Sequence, residues 1–123
     1  MLVGSGGAGA QGLPGTTYLF FDFGRPVLSR DAETALDDLV SALETMPQAA
    51  VVIAGYSDRA GSAAANMTIS GKRAEAVRGY LRTKGVANAR VRIVTYGESN
   101  LLIQTEDGVR EAQNRRVEIR LVN

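Results

Sequence analysis

Apolar residues recur along the chain at two different spacings, and the shorter spacing predicts four β-strands. Residues 91–93 and 117–121 alternate apolar with charged side chains, a pattern typical of strands with one solvated face. Residues 50–54 form an unbroken apolar run. Residues 17–23 form a nearly continuous aromatic and apolar run, which predicts a first strand buried on both faces or close to it.

Spacings of three and four residues predict two helices. The first begins after Ser29, a helix N-cap, and is stopped by Pro47. The second covers roughly residues 62–84 and is closed by Gly85. A loop that ends in a short helix occupies residues 97–114 and precedes the last strand. The order β-α-β-α-β-β predicts an α+β fold, a two-layer sandwich with both helices on one face of a mixed sheet.

One face of the second helix combines apolar and polar residues. Asn66, Ile69 and Arg73 follow at three- and four-residue spacing, so they should face the core. Asp58 ends the second strand. A buried guanidinium opposite a carboxylate at a strand end indicates a pocket for a small zwitterion, because each charge can bind its opposite. The alternative from these residues alone is a structural ion pair between Asp58 and Arg73.

The composition excludes several kinds of function. The 123 residues suit one domain, and 14 basic against 13 acidic residues leave a net charge of +1, which argues against a nucleic-acid-binding protein. Without Cys or His, the chain offers no thiol nucleophile and no His-based metal site or acid–base group. We therefore expect no catalysis, no cofactor and no metal. No apolar run reaches the ~20 residues that span a bilayer.

Residues 1–15 differ in composition from the rest of the chain. They are rich in Gly and Ala and carry no charged side chain. They lack the basic start and long apolar core of a signal peptide, so we interpret them as a flexible linker or a remnant of expression cloning. The folded domain is then residues 16–123. We expect membrane attachment only through an N-terminal region missing from this chain.

Several short motifs follow one another in a fixed order along the chain. In chain order they are Phe20-Phe21-Asp22-Phe23, Gly55-Tyr56-Ser57-Asp58, Gly61, Asn66, Ser70 with Arg73-Ala74, Tyr96-Gly97-Glu98 and Asn114-Arg115-Arg116-Val117-Glu118-Ile119. Each motif alone is weak, but their order and spacing together are specific, and over about residues 18–122 they resemble the OmpA-like domain. This family is the peptidoglycan-binding module of outer-membrane proteins, peptidoglycan-associated lipoproteins and flagellar stator subunits.

The resemblance implies a ligand and a set of contact residues. Such domains bind, without catalysis, the diaminopimelate residue of the peptide stem of Gram-negative peptidoglycan. By position in the motifs, Asp58 would receive the ligand ammonium and Arg73 would bind its carboxylate. Asn66, Arg115 and Asp22 would support the ligand. The resemblance also implies a periplasmic, outer-membrane-associated protein, and its stator-like members suggest a homodimer.

Two departures from the family pattern keep a second function open. Tyr56 stands where many members have His, and Ala60 stands where a small polar residue is common. A structural or assembly domain that dimerises and has altered or lost its ligand binding would fit these changes. A wall hydrolase that uses Asp58 and Glu98 as paired carboxylates is a third alternative.

Individual residues have structural alternatives as well. Asn66 could instead cap a helix that starts later, and Asp22 could form an Asx turn. Strand alternation places Arg115 and Arg116 on opposite sides, so one can reach the site while the other is solvated or pairs with Glu118. A solvated sheet face is the expected position of three further basic residues, Arg90, Arg92 and Arg120.

Overall fold

The computed structural model describes residues 16–122. Its strands are β1 (Thr16–Phe20), β2 (Ala50–Tyr56), β3 (Val91–Gly97) and β4 (Arg116–Val122), and its helices are α1 (Arg30–Glu44) and α2 (Ala63–Thr83). Two short 3₁₀ helices, Asn88–Arg90 and Ala112–Asn114, precede β3 and β4. The predicted order β-α-β-α-β-β is confirmed for these residues. The linker prediction for residues 1–15 and the last residue, Asn123, lie outside the described residues.

The described strands form one mixed sheet, as predicted. Their order across the sheet is β1-β4-β2-β3. Strand β4 runs antiparallel to both β1 and β2, whereas β2 and β3 are parallel. A parallel pair needs a crossover connection, and α2 supplies it. This crossover brings the first turns of α2 beside the carboxyl end of β2, where the candidate site lies.

Both helices pack on the same face of the sheet. Leu36 and Leu43 of α1 and Val77 and Leu81 of α2 are buried in one core cluster. The sheet contributes the buried side chains Leu19, Val51, Ile53, Val117 and Ile119 to that cluster. Burial of side chains of this size supplies roughly 1.5–3 kcal/mol each, so this layer is the main source of stability. The two-layer sandwich is therefore confirmed.

The first strand is shorter and less buried than predicted. It ends at Phe20, three residues before the predicted end. Leu19 is buried under the helices, but Tyr18 and Phe20 are 41% and 47% exposed. The aromatic run predicted burial on both faces, and this prediction was wrong because the helices cover one face of the sheet only.

One helix cap was predicted and a second was not. Ser29 caps α1, as predicted, by accepting a hydrogen bond from the Ala32 backbone N–H, whereas Ser62, expected as the first residue of the second helix, caps α2 by accepting from the Ala65 backbone N–H. The alternative in which Asn66 caps α2 is wrong, because its N–H already donates to the Ser62 carbonyl at 2.9 Å inside the helix.

A close approach between α2 and the sheet fixes the height of the helix above the candidate site. A Cβ added to Gly55 would lie 2.2 Å from the carbonyl oxygen of Ser70. The Ser70 hydroxyl accepts a hydrogen bond from the N–H of Gly97 at 3.1 Å. Glycine is needed at position 55 because only a residue without Cβ lets the two backbones come this close.

One predicted surface residue has a structural role instead. The Arg90 guanidinium donates to the carbonyls of Ala49 and Met46, at distances of 2.8–3.0 Å. The prediction of a solvated sheet position was wrong because Arg90 lies in a 3₁₀ helix just before β3, where strand alternation does not apply. Arg92 and Arg120 are exposed on the sheet as predicted.

The loop between β3 and β4 is held by one buried side chain. The Asn114 amide oxygen accepts hydrogen bonds from the N–H groups of Leu102 and Ile103, and its nitrogen donates to the Ile103 carbonyl, all at 2.8 Å.

Neither helix within residues 16–122 is both long and apolar enough to cross a membrane.

Candidate functional site

A cavity of about 280 Å³ opens where the carboxyl end of β2 meets the first turns of α2. Four of the five predicted site residues line it, namely Asp58, Asn66, Arg73 and Arg115. The remaining walls are apolar or small and include Phe23, Ala60, Ala65 and Ile69. The cavity therefore joins residues from four separate parts of the chain around one carboxylate and two guanidinium groups.

The Asp58 carboxylate is buried and already partly bonded. Its Oδ1 accepts from the Ala60 N–H at 3.2 Å. Its Oδ2 accepts from the Glu111 N–H and from Arg115 Nη1, both at 3.1 Å. Two carboxylate oxygens offer about four acceptor positions, so Oδ1 retains one for a ligand.

The ion pair of the site joins Asp58 to Arg115, not to Arg73. The Asp58–Arg115 pair has side chains only 3% and 14% exposed. Among residues 16–122, no salt bridge joins Asp58 to Arg73. The structural ion pair considered from the sequence is thus wrong, although both side chains line the same cavity.

Arg73 is 1% exposed and bonds three backbone carbonyls. Its Nε donates to Arg25 at 3.2 Å, its Nη2 to Asp22 at 3.1 Å, and its Nη1 to Tyr56 at 3.4 Å. A guanidinium has five N–H bonds, so one remains on each terminal nitrogen. Burial, and secondarily the neighbouring charge of Arg115, lower the pKa of Arg73 to about 10, while Asp58 acts in the opposite direction. The side chain therefore stays charged at neutral pH.

Asn66 is buried and oriented by Glu98. Its Nδ2 donates to Glu98 Oε1 at 2.9 Å, which leaves its amide oxygen as an acceptor. Glu98 Oε2 in turn lies 3.5 Å from Arg59 Nε. Glu98 does not line the cavity. Its hydrogen bond positions Asn66. Because Glu98 lies outside the cavity, it does not face Asp58 as the second carboxylate that the hydrolase alternative needs.

Arg115 and Arg116 lie on opposite sides, as the strand alternation predicts. Arg115 reaches the cavity, where its Nε also donates to the Phe21 carbonyl at 3.0 Å. Arg116 pairs with Glu118 at 2.8 Å on the other face of the sheet.

Asp22 does not share the cavity with the other four predicted residues. Its side chain is exposed and lines a neighbouring cavity of about 240 Å³, together with Phe20, Gln113 and Arg115. Its backbone carbonyl, and not its carboxylate, is the acceptor for Arg73. The carbonyl also accepts from the Arg25 N–H at 3.2 Å in a turn. Asp22 was predicted to support the ligand together with the other four residues, but it lines the neighbouring cavity and not the one that contains Asp58.

The family departure at Tyr56 lies outside the cavity. The Tyr56 ring stacks on Tyr96 with centroids 5.0 Å apart, and the Arg116 guanidinium lies 3.8 Å from the Tyr56 ring centre. Burial is the main cause that raises the pKa of Tyr56. Ala60, in contrast, does line the cavity, so only the second departure changes its wall.

Seven residues of the cavity lining were not predicted as site residues, and three of these contribute most of its apolar wall. Phe23 lies beneath the guanidinium of Arg110, 3.7 Å from the ring centre, and forms part of the wall. Ile69 and Ala65 lie one and two turns before Arg73 on the same side of α2. Helical spacing back from Arg73 was the signal that would have found Ala65.

The charges of the cavity suit a ligand that carries both signs. Two guanidiniums and one carboxylate leave one positive charge that is not locally balanced. A ligand carboxylate can bind the free N–H groups of Arg73, and an ammonium can bind Asp58 and the Asn66 oxygen. In the part of the chain described, no group of three carboxylate side chains is placed to hold a metal ion.

The model of the OmpA family matches residues 20–115. The chain belongs to the OmpA family. Its relatives include the peptidoglycan-associated lipoprotein of Mesorhizobium japonicum, 32% identical over 93% of this chain and 73% of the relative. The protein of the same name from Legionella pneumophila is 33% identical over 94% of this chain and 77% of its own.

Solved structures show the same fold. The peptidoglycan-associated lipoprotein of Burkholderia pseudomallei superposes with a TM-score of 0.79 at 30% identity, over 85% of this chain and 89% of the other. The C-terminal domain of MotB from Helicobacter pylori has a TM-score of 0.76 at 17% identity, over 87% of this chain and 84% of the other. The second likeness is one of fold alone.

Proposed function

We propose that this OmpA-family domain binds the free α-amino acid end of diaminopimelate in the peptide stem of peptidoglycan, without catalysis. It would thereby attach an outer-membrane or envelope protein to the cell wall from the periplasm. The observation that carries the proposal is one cavity lined by Asp58, Asn66 and Arg73, whose guanidinium has N–H groups not used in bonds to the protein. The names of its relatives, peptidoglycan-associated lipoproteins, agree with this function.

The carboxylate of the ligand would bind Arg73. This guanidinium has one unused N–H on each terminal nitrogen, and two such donors match the two oxygens of a carboxylate. Its three bonds to backbone carbonyls hold it in place before the ligand arrives. A preorganised side chain loses little conformational entropy on binding, which favours affinity.

The ammonium of the ligand would bind Asp58 Oδ1 and the Asn66 amide oxygen. Both acceptors belong to buried side chains whose other polar atoms are bonded to protein. Because both a carboxylate and an ammonium are recognised, diaminopimelate stems should be preferred over lysine stems, whose free end lacks the carboxylate. Each charge-assisted hydrogen bond contributes roughly 1.5–3 kcal/mol, and the many stems of a polymer add avidity.

Co-sedimentation with diaminopimelate-type sacculi tests the proposal, with Ala65→Phe as the main variant. Ala65 lines the cavity and Ala64 does not, although both are exposed in the first turn of α2. The Ala65→Phe side chain should fill the cavity and abolish pelleting, while Ala64→Phe, the matched control, should pellet like wild type. Neither change removes a side chain that forms a hydrogen bond.

A titration followed by NMR identifies the ligand. Free diaminopimelate should shift the backbone signals of residues around Asp58 and Arg73, and Nα-acetyl-lysine amide, which keeps the side-chain ammonium but has no free carboxylate, should not at the same concentration. Equal shifts with Nα-acetyl-lysine amide would contradict carboxylate recognition by Arg73. No pelleting and no shifts, together with a concentration-dependent dimer in analytical ultracentrifugation, would favour an assembly domain instead.

A further inference from the structure

A second cavity shares one wall with the first. It has a volume of about 240 Å³ and is lined by Phe20, Phe21, Asp22, Ala112, Gln113 and Arg115. Arg115 is the residue common to both cavities. A ligand that leaves the first cavity past Arg115 would therefore enter the second.

The second cavity contains polar groups with unused hydrogen-bonding capacity. Arg115 donates a hydrogen bond from Nε to the Phe21 carbonyl and one from Nη1 to the Asp58 carboxylate. Its Nη2, with two N–H bonds, donates to no acceptor within residues 16–122. The Asp22 carboxylate and the Gln113 side-chain amide likewise have no hydrogen-bond partner in the described part of the chain. The half-exposed ring of Phe20 provides an apolar wall.

This set of groups matches a peptide unit better than a single ion. A peptide group has one N–H donor and one carbonyl acceptor. The Asp22 carboxylate can accept from the former, while Arg115 Nη2 and the Gln113 amide can donate to the latter. The adjacent apolar ring can contact a small side chain.

We propose that the second cavity is a subsite for the main-chain amide of the stem peptide next to the bound diaminopimelate. The inference rests on the proposed function, since the first cavity must hold the free end of that residue. Diaminopimelate has two α-amino acid ends joined by three methylene groups. One end can thus occupy the cavity at Asp58 while the other, linked into the stem, emerges beside Arg115.

Calorimetric titration with two ligands tests this subsite, using free diaminopimelate and the tripeptide Ala-γ-Glu-diaminopimelate. Gln113→Ala removes a side chain of the second cavity only, and Gln104→Ala, an exposed glutamine that lines neither cavity, is the matched control. Gln113→Ala should weaken tripeptide binding about fivefold, the loss of roughly 1 kcal/mol expected for one hydrogen bond. It should leave diaminopimelate binding unchanged, and Gln104→Ala should change neither.

The other outcomes separate the two proposals. Equal affinities of wild type and Gln113→Ala for the tripeptide would overturn the subsite and leave the diaminopimelate site standing. If Gln113→Ala weakened binding only of a muropeptide that also carries the sugars, the second cavity would be assigned to the glycan, and the peptide assignment would be overturned. Failure of the wild type to bind either ligand would instead overturn the proposed function, and the subsite with it.

Discussion

Asp58 forms its ion pair with Arg115, at 3.1 Å, although the two residues are 57 positions apart in the chain. Both residues also bond to the backbone. Asp58 accepts from the N–H groups of Ala60 and Glu111, and Arg115 donates to the Phe21 carbonyl. The pair therefore joins the start of β4 to the end of β2 beneath the candidate site. Because both side chains of this ion pair are buried, removing either one should destabilise the fold.

Arg115→Ala should lower the free energy of unfolding by about 3 kcal/mol, because it leaves the buried Asp58 carboxylate without its counter-charge. Urea denaturation measures this loss. Arg78→Ala is the matched control, since its pair with Glu75 has side chains 32% and 55% exposed and should contribute less than about 1 kcal/mol. Similar effects of the two substitutions would show that burial of the Asp58–Arg115 pair is unimportant.

Gly55→Ala should destabilise the domain by about 3 kcal/mol, because the new methyl group would lie 2.2 Å from a backbone oxygen of α2. The helix must move away, and it carries Asn66 and Arg73 with it, so binding of diaminopimelate should weaken too. Gly79→Ala provides the contrast. A Cβ at Gly79 meets nothing within 4 Å, and alanine inside a helix should stabilise by roughly 0.5–1 kcal/mol. Thermal unfolding of both variants checks the opposite signs.

Asn114→Ala should release the loop before β4. The substitution removes three hydrogen bonds to the backbone of Leu102 and Ile103, and it leaves a buried space where the amide was. We expect a loss of about 2 kcal/mol in stability and faster amide hydrogen exchange at residues 102 and 103. Unchanged exchange at these two amides would contradict the role assigned to Asn114.

Tyr80 should show a pH-dependent contribution to stability. Its hydroxyl donates to Asp37 at 2.7 Å, and this bond is the main cause that raises the pKa of Tyr80 to about 12. Because the folded-state pKa exceeds the unfolded value near 10, the contribution is complete below about pH 10 and is lost as the pH rises toward 12. Lys84, 3.7 Å from the same carboxylate, also faces it.

An ultraviolet titration of tyrosinate measures this effect. The phase with the highest pKa should disappear in Tyr80→Phe and move toward 10 in Asp37→Asn. If the high-pKa phase persisted in Tyr80→Phe, it would belong to another tyrosine, such as the buried Tyr56, whose pKa is also raised.

The sequence predicted local features better than contacts between distant residues. Ser62 and Gly85 marked the ends of α2 because capping depends on neighbouring residues, and alternation separated Arg115 from Arg116 for the same reason. The placement of Asp58, Asn66, Arg73 and Arg115 around one cavity agreed with the motif order.

What the sequence did not predict depends on tertiary distance. Charge alone could not decide between Arg73 and Arg115 as the partner of Asp58, because both guanidiniums reach the same cavity. The carbonyl partners of Arg73 follow from the path of the chain after β1, which no periodicity encodes. Asp22 was placed with the site by its motif, yet its carboxylate faces the neighbouring cavity.

The bond between Arg73 and the Asp22 carbonyl has a mechanical consequence. A pulling force between Thr16 and a ligand seated against Arg73 would travel along β1 and reach the guanidinium through a contact of 3.1 Å, bypassing α1 and most of the core. Strand β1 is also held from Thr16 to Phe20 by its antiparallel ladder with β4, which such a force would load in shear. The load within the fold would thus be shared by many hydrogen bonds in parallel. Because the ligand contact lies in series with them, the ligand should detach from the cavity before β1 is pulled out of the sheet.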